Sequence, residues 1–471
     1  MASKRRKHTG SRGHRRDRPN AETIAAASNS EPTAPVELGE SAALPSVSAR
    51  LSDWILPLEP LLARVGGGDA RVGAALAGTL GVTALVFSRC LANAFVFDDD
   101  DMIVINRQIG NWSFIWKSLV NDSWWFRDPN RLPQSAYYRP FQDIWLWLNF
   151  HLFGLVPAPW HAAMIGLHLV VVWLAFRIAS QLATDKWAGV LAAGLFALMP
   201  LHAEPVVWAS AIPLPLAAAF EFGAFECYLR WRTESPEPQL KWLVLSLGLF
   251  AGALLSHESA IVFPLLVAAH SYLFPLPIPP GAAEFAGDAA RSEADLVEDT
   301  VAAIRPFVYE AAAYIILRLW VLGVISGPNS DNHMTALDVA LTIPGVIVSY
   351  VALLFAPWLA GPIYRLNIVH GIGSSGFWPP VIVLAGITGV GIALLRNNPR
   401  RSLYLFSSLW ILIAIGPSLN LTGLFPQSLI QDRYVYFASF GFCLMAADIA
   451  VRFARTSDAR AKAVSIGVAA N

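Results

Sequence analysis

Charge is what this sequence has least of. Only 14% of its 471 residues are Asp, Glu, Lys or Arg, where a soluble domain has roughly 25%. So few charges cannot cover a water-facing surface of this size, which excludes a soluble enzyme or a secreted module. Cysteine is scarce too. Cys90, Cys227 and Cys443 lie in apolar stretches and form no CxxC pair, so neither a disulfide framework nor a zinc site is expected. No phosphate loop and no nucleophile elbow is present, which leaves ATP-driven chemistry unsupported. The net charge is zero, so there is no global case for nucleic acid. What is abundant is apolar: 55% of the chain is hydrophobic, with 26 Phe, 17 Trp and 11 Tyr. That aromatic content excludes whole-chain disorder. The composition points to an all-α polytopic membrane protein.

The scarce charge is unevenly placed. Residues 1–70 read as a disordered tail with a short amphipathic piece around Trp54–Leu62. Lys4, Arg5, Arg6, Lys7, Arg12, Arg15, Arg16 and Arg18 make its start basic against Asp17 alone. Such a run can bind nucleic acid or anionic lipid, but ahead of a membrane span it reads as a cytoplasmic topology tail. The first apolar run begins near Val72, too far in for a cleaved signal peptide. Residues 71–452 read as one polytopic membrane domain. Apolar runs near 72–92, 159–183, 187–200, 206–231, 241–256, 259–275, 303–324, 339–358, 379–395, 402–419 and 434–451 predict about 10–12 transmembrane helices, several of them short or broken by proline. Residues 93–158 form a long outer loop with amphipathic interfacial helices. Residues 276–302 read as a flexible acidic linker, and 453–471 as a short tail whose apolar Ala463–Ala470 looks like an uncompleted span. Simple alternation puts the basic turn 396–401 on the wrong side, so one run between 201 and 395 is expected to be split or re-entrant.

The sharpest chemical feature is Asp98-Asp99-Asp100-Asp101 at the outer end of the first run. Four adjacent carboxylates are costly there. They serve as a solvated helix stop, as a general base for an acceptor hydroxyl, or as an oxygen cage for a divalent cation such as Mg or Mn. Downstream, Trp112, Trp116 and Leu119 share one helical face, and Trp124-Trp125-Phe126 follow, which suits a helix lying on the outer leaflet. Tyr137-Tyr138-Arg139-Pro140 supplies an Arg that could grip phosphate or reach lipid head groups. His161 and His168 share a helix face and read more readily as packed polar groups than as metal ligands. His202-Ala203-Glu204 lies in a turn on the same side as the acids. Ser256-His257-Glu258 breaks an apolar stretch, where charge is rare and usually functional. Asp432-Arg433-Tyr434 opens the last full run. Together these predict an outward-facing site of loop acids and arginines under aromatic helices.

The order of these motifs resembles the membrane-embedded C-type glycosyltransferases, and among them the transmembrane and tetratricopeptide-repeat protein O-mannosyltransferases and their bacterial relatives. The matching stretches are Phe95-Val96-Phe97-Asp98-Asp99 with Asn106, Tyr138-Arg139-Pro140, Trp160-His161 with His168, and Leu201-His202-Ala203-Glu204. They continue with Ser256-His257-Glu258, Arg318 with Val321-Leu322-Gly323, Asp331-Asn332, and Asp432-Arg433-Tyr434-Val435-Tyr436. The resemblance implies an inverting transferase that moves a sugar, mannose in the first instance, from a polyprenyl-phosphate carrier to a protein or glycan hydroxyl. It implies an integral multi-pass protein of a bacterial cytoplasmic membrane or the endoplasmic reticulum, with its site on the outer or lumenal face. It places the catalytic acids on Asp98 and Asp99, with Glu204 as a further carboxylate. Tyr138, Arg139, His161, His202, His257, Glu258, Asp432 and Arg433 would bind substrate. The sequence departs from the family pattern at Ala211-Ile212-Pro213-Leu214, where relatives often carry Gly-Arg-x-Asp. It also departs at Met164, Met199 and His257, where Asn, His and Lys are common. A transporter or lipid flippase, and a non-catalytic relative of the transferase, are the competing readings.

Overall fold

The computed structural model describes residues 68–469 except 129, 131–134, 234–238, 277–291, 324–333 and 425–427. The basic tail, most of the acidic linker and the Asp331-Asn332 match therefore lie outside the described residues. Among the described residues every regular element is helical, and the chain is an integral multi-pass membrane protein.

Local chemistry sets where the helices start. Helix α1 (Ala70–Phe87) is capped by Asp69, whose carboxylate accepts from the Arg71 and Val72 amides. A short 3-10 turn extends it to Ala92, and a single wide turn follows at Asp100–Val104. Helix α2 (Ser113–Ser118) is brief. Proline at the first helical position opens α3 (Pro140–Phe153) and α4 (Pro157–Leu182). Asp185 caps α5 (Lys186–Ala197) through the Trp187 and Ala188 amides. Beyond α5 the chain bends by 57° into Pro200–Val207, which carries the His202-Ala203-Glu204 turn. Next come α6 (Pro213–Thr233), α7 (Leu240–Ser256) and α8 (Phe263–Leu273). The final set is α9 (Glu293–Leu322), α10 (Ala336–Phe355), α11 (Trp378–Leu395), α12 (Arg401–Ile415) and α13 (Ser439–Ala469). Reciprocal Ser292–Asp295 and Thr335–Asp338 bonds start α9 and α10.

Two expectations change here. Helix α9 begins at Glu293, inside the stretch expected to be linker, because Ser292 and Asp295 cap it. Helix α13 runs unbroken through the expected tail to Ala469. Seven helices are long and apolar enough to cross a membrane, or eight if the bent pair counts as one span, among the described residues. The sequence count of ten to twelve also included α7 and α8, which are apolar but shorter. These two meet at His257, whose backbone is extended (φ −155°, ψ 134°).

The helices differ in how deeply they sit. In α6, 83% of the membrane-length window is buried, so this helix is the spine of the bundle. In α11 none is buried, which leaves the helix as an outer rib. A large aromatic core joins α4–α6 with α8, α12 and α13 through Phe196, Phe222, Phe225, Trp410 and Phe440. A second, smaller core holds the first loop together around Phe114, Trp125, Trp147 and Trp160. Trp112 and Trp116 remain exposed, as suits an interface. Trp125, expected with them, is a core residue at 1% exposure.

Candidate functional site

A cavity of about 1060 Å³ opens between the first loop, the α7–α8 break, α9 and the approach to α13. Its size sits at the upper end for small-molecule sites. Asp98, Arg139, His257, Glu258 and Arg433 line it, together with Arg127, Arg318 and Glu221. Five of the eleven residues singled out from the sequence therefore meet in one space, and a sixth, Glu204, joins through Arg433.

The first loop delivers Asp98. Phe97 adopts φ 54°, a left-handed conformation that a bulky side chain rarely takes. Three contacts hold it there. Asp99 Oδ2 accepts from the Val96 amide at 3.0 Å, Trp208 Nε1 donates to the Val96 carbonyl at 3.3 Å, and the Phe97 ring meets Trp208 edge to face. Asp99 itself is fully buried. Its Oδ1 accepts from the Ser210 amide at 2.8 Å and the Ser210 hydroxyl at 2.5 Å. Both oxygens are thus occupied, and Asp99 clamps the acid turn to the start of α6. Asp98 is half-buried, lines the cavity and makes no hydrogen bond among the described residues. Burial pushes its carboxyl above the usual carboxylate value. Arg127 and Arg433 pull it down, while Asp101 and Asp99 push it up again. The resemblance treats the two acids as a pair. In the structure they part, one open to the cavity and one tied into the wall.

Arg139 stands at the N-terminus of α3. Its Nε and one Nη donate to both Glu258 oxygens at 2.9 and 2.6 Å, a two-pronged ion pair spanning the first loop and the α7–α8 break. The same guanidinium lies 3.1 Å from His257 Nε2, while His257 Nδ1 accepts from the Ser259 amide at 3.1 Å and lies 2.8 Å from Ser259 Oγ. The Tyr137 ring lies against Arg139, 4.4 Å from ring centre to guanidinium. Arg433 pairs with Glu204 and lies over the rings of Trp208 and Tyr434. Arg318 of α9 donates to the Ala136 carbonyl at 2.5 Å and to the Tyr314 hydroxyl at 3.3 Å. The cavity therefore gathers guanidinium groups from three distant parts of the chain, two of them, Arg139 and Arg433, held by carboxylate partners.

The other expected site residues stand behind this wall. Tyr138 is buried and donates to the Leu119 carbonyl at 2.8 Å, so its neighbour Tyr137 takes the cavity position. His161 is buried behind Asp99 with both ring nitrogens unbonded among the described residues. His202 donates to Ser439 Oγ at 2.9 Å inside an aromatic cluster with His168, Phe196 and Tyr436. Asp432 accepts from the Gly361 amide at 3.2 Å and from the Tyr364 hydroxyl, pinning the 357–364 segment to the short turn that precedes α13.

The four consecutive acids turn to different partners. Asp99 is spent on Val96 and Ser210, Asp101 pairs with Arg127, and Asp100 is exposed. Among the described residues no three His, Cys, Asp or Glu side chains gather around one point. A G-x-G-x-x-G string, Gly371-Ile372-Gly373-Ser374-Ser375-Gly376, is also present. It lies in turns ahead of α11 with no strand before it, which is not the strand–turn–helix setting of a dinucleotide site.

Several cavity residues escape the sequence reading or barely enter it. Glu221 sits inside an apolar run, Gln142 inside an aromatic one, and Arg318 stood out only as a matching residue. A lone acid in a membrane-length window is itself a signal, and Glu221 could have been found by it.

No known family profile matches the chain. It is similar to protein O-mannosyl-transferase Tmtc1 of Drosophila melanogaster, 31% identical over 209 residues, which is 43% of this chain and 23% of that protein. It is 23% identical to human protein O-mannosyl-transferase TMTC3 over 393 residues, 78% of this chain and 41% of that protein. Drosophila Tmtc2, also called a protein O-mannosyl-transferase, is 31% identical over 198 residues, 39% of this chain and 20% of that protein. The chain thus spans about a fifth to two fifths of the length of these relatives.

Proposed function

We propose that this chain is an inverting mannosyltransferase that moves mannose from a polyprenyl-phosphate carrier to a protein hydroxyl at the outer or lumenal membrane face. The observation that carries this reading is the single cavity in which an unbonded carboxylate, Asp98, faces arginines 139, 318 and 433. The similarity to named O-mannosyl-transferases supports the sugar and the acceptor class.

The chemistry follows from those charges. Asp98 takes the proton of the acceptor hydroxyl as that oxygen attacks the anomeric carbon. The bond from that carbon to the phosphate oxygen breaks, and its electron pair stays on the phosphate. The carrier phosphate passes from one negative charge to two, and Arg139, Arg318 and Arg433 stabilise the added charge. Attack opposite the leaving group inverts the anomeric centre, as in an inverting glycosidase with a hydroxyl in place of water. Asp99 acts as a positioning residue. No step is routed through a divalent cation, because the acids offer no assembled donor set, and transfer is expected to survive a chelator.

The test uses purified protein with polyprenyl-phosphate-mannose and a Ser/Thr-rich peptide. Asp98→Asn is expected to lower transfer by about 10²–10⁴-fold, the usual worth of a general base. Because burial raises Asp98, the acid limb of the wild-type pH–rate profile should lie above the ordinary carboxylate range, as the base must be ionised to act. Undiminished transfer by Asp98→Asn would remove the base from the scheme. The α7–α8 break at a charged residue also suits a transporter. Lipid movement in vesicles without glycosylation would favour that reading instead.

A further inference from the structure

The cavity wall also carries two polar side chains that lack a full set of partners among the described residues. Gln142 is 1% exposed. Its Nε2 reaches only Met102 Sδ at 3.3 Å, a weak acceptor, and its Oε1 has no partner among the described residues. Turning the amide over leaves the other atom orphaned. Glu221 is 3% exposed and makes no hydrogen bond or ion pair among the described residues. Folded proteins keep few such groups, and each calls for an explanation.

Both line this cavity, on helices that meet. Their chain neighbours Phe141 and Phe220 have ring centres 5.7 Å apart. Gln142 lies one helical turn beyond Arg139 on α3, and Glu221 lies two turns beyond Leu214 on the cavity face of α6. Arg139, which can hold a phosphate, thus stands one turn from Gln142, and the helix that carries Glu221 meets the same turn through Phe220 and Phe141.

We propose that Gln142 and Glu221 form the sugar subsite, bonding the ring hydroxyls of the hexose whose phosphate rests on Arg139, and so select which hexose is transferred. This rests on the transferase reading above. Hexose hydroxyls donate and accept, which is what an amide oxygen and a carboxyl group lack here. A site that bonds a substrate hydroxyl discriminates far more strongly than one that only packs against it, because the wrong sugar leaves its groups unpaired.

The test compares wild type with Gln142→Leu, Glu221→Leu and the isosteric Glu221→Gln in lipid nanodiscs. Thermal shifts are read with polyprenyl phosphate alone and with its mannose and glucose conjugates, alongside kcat/KM for both conjugates. The leucine variants are expected to melt at or above wild type without ligand, since each removes an orphaned polar group. They should keep the shift given by polyprenyl phosphate, lose the extra shift given by mannose, and narrow the mannose-to-glucose ratio by about 10-fold or more. Variants that keep the extra mannose shift and the wild-type ratio overturn the proposal. So does a lowered melting point in all three variants with the sugar shift intact, which would mark a structural role. A wild type that neither shifts with polyprenyl phosphate nor transfers overturns the transferase reading, and this subsite with it.

Discussion

Asp98 and Asp99 are chemically identical neighbours with opposite surroundings. Asp99 accepts three hydrogen bonds and Asp98 none. Ser210→Ala should therefore lower stability by about 1.5–3 kcal/mol, the range for a hydrogen bond to a charged group, whereas Asp98→Asn should leave the melting point near wild type. Denaturation of the two variants side by side checks this. A third acid, Asp143 of α3, is 1% exposed with both oxygens unbonded among the described residues, and burial pushes it up to about 8. Its folded value exceeds its unfolded one, so it favours the fold at low pH and loses that contribution as pH rises from about 4 to about 8. The wild-type melting point should fall across that window, and Asp143→Asn should flatten the fall.

The residue scale was only partly legible in the sequence. Asp98, Arg139, Glu204, His257, Glu258 and Arg433 stand out because charge is rare in an apolar chain. The division of labour between Asp98 and Asp99 was not legible. It depends on Ser210, whose neighbouring sequence gives no hint of the contact. Tyr138 was singled out where Tyr137 lines the cavity, since the chain direction at Arg139 decides which ring faces in.

Elements were easier to read than their packing. Hydropathy located each long helix, and the caps that move the start of α9 into the expected linker are visible in Ser292 and Asp295 once sought. Hydropathy alone could not tell α6 at the centre from α11 at the rim, because both runs are apolar. The approach of α12 to α13 rests on Gly441. A Cβ there would collide with the Ser407 carbonyl oxygen and stand 3.0 Å from Ile411 Cγ1 and 3.1 Å from Trp410 Cβ. Gly441→Ala should cost about 1–3 kcal/mol through overpacking, read as a lower melting point with unchanged donor selectivity in the folded fraction.

For the whole molecule, the ion pairs sort into two levels. One holds Arg139–Glu258 and Arg433–Glu204. The other holds Arg177–Glu226, Arg232–Asp299, Arg400–Asp448 and Arg455–Asp185. Helix α6 links them, running from Pro213, just beyond Ser210 at the acid turn, to Thr233, roughly 30 Å at 1.5 Å per residue, which matches a hydrocarbon core. The second level is rich in arginine, as cytoplasmic ends are. With the native cysteines buried, Trp112→Cys should react with an impermeant maleimide added outside, and Asn397→Cys only after permeabilisation. The reverse pattern would invert the proposed topology.

The pairing of Arg139 with Glu258 and of Arg433 with Glu204 has a kinetic consequence. Two of the cavity's cations are already balanced before any donor arrives, so in the proposed transfer a singly charged sugar carrier would meet a modest field. The spent carrier leaves the reaction with twice that charge and can compete with Glu258 and Glu204 for their arginines. Release of polyprenyl phosphate, rather than glycosyl transfer, is then the step expected to limit turnover, and added polyprenyl phosphate should slow the steady state without touching a first-turnover burst.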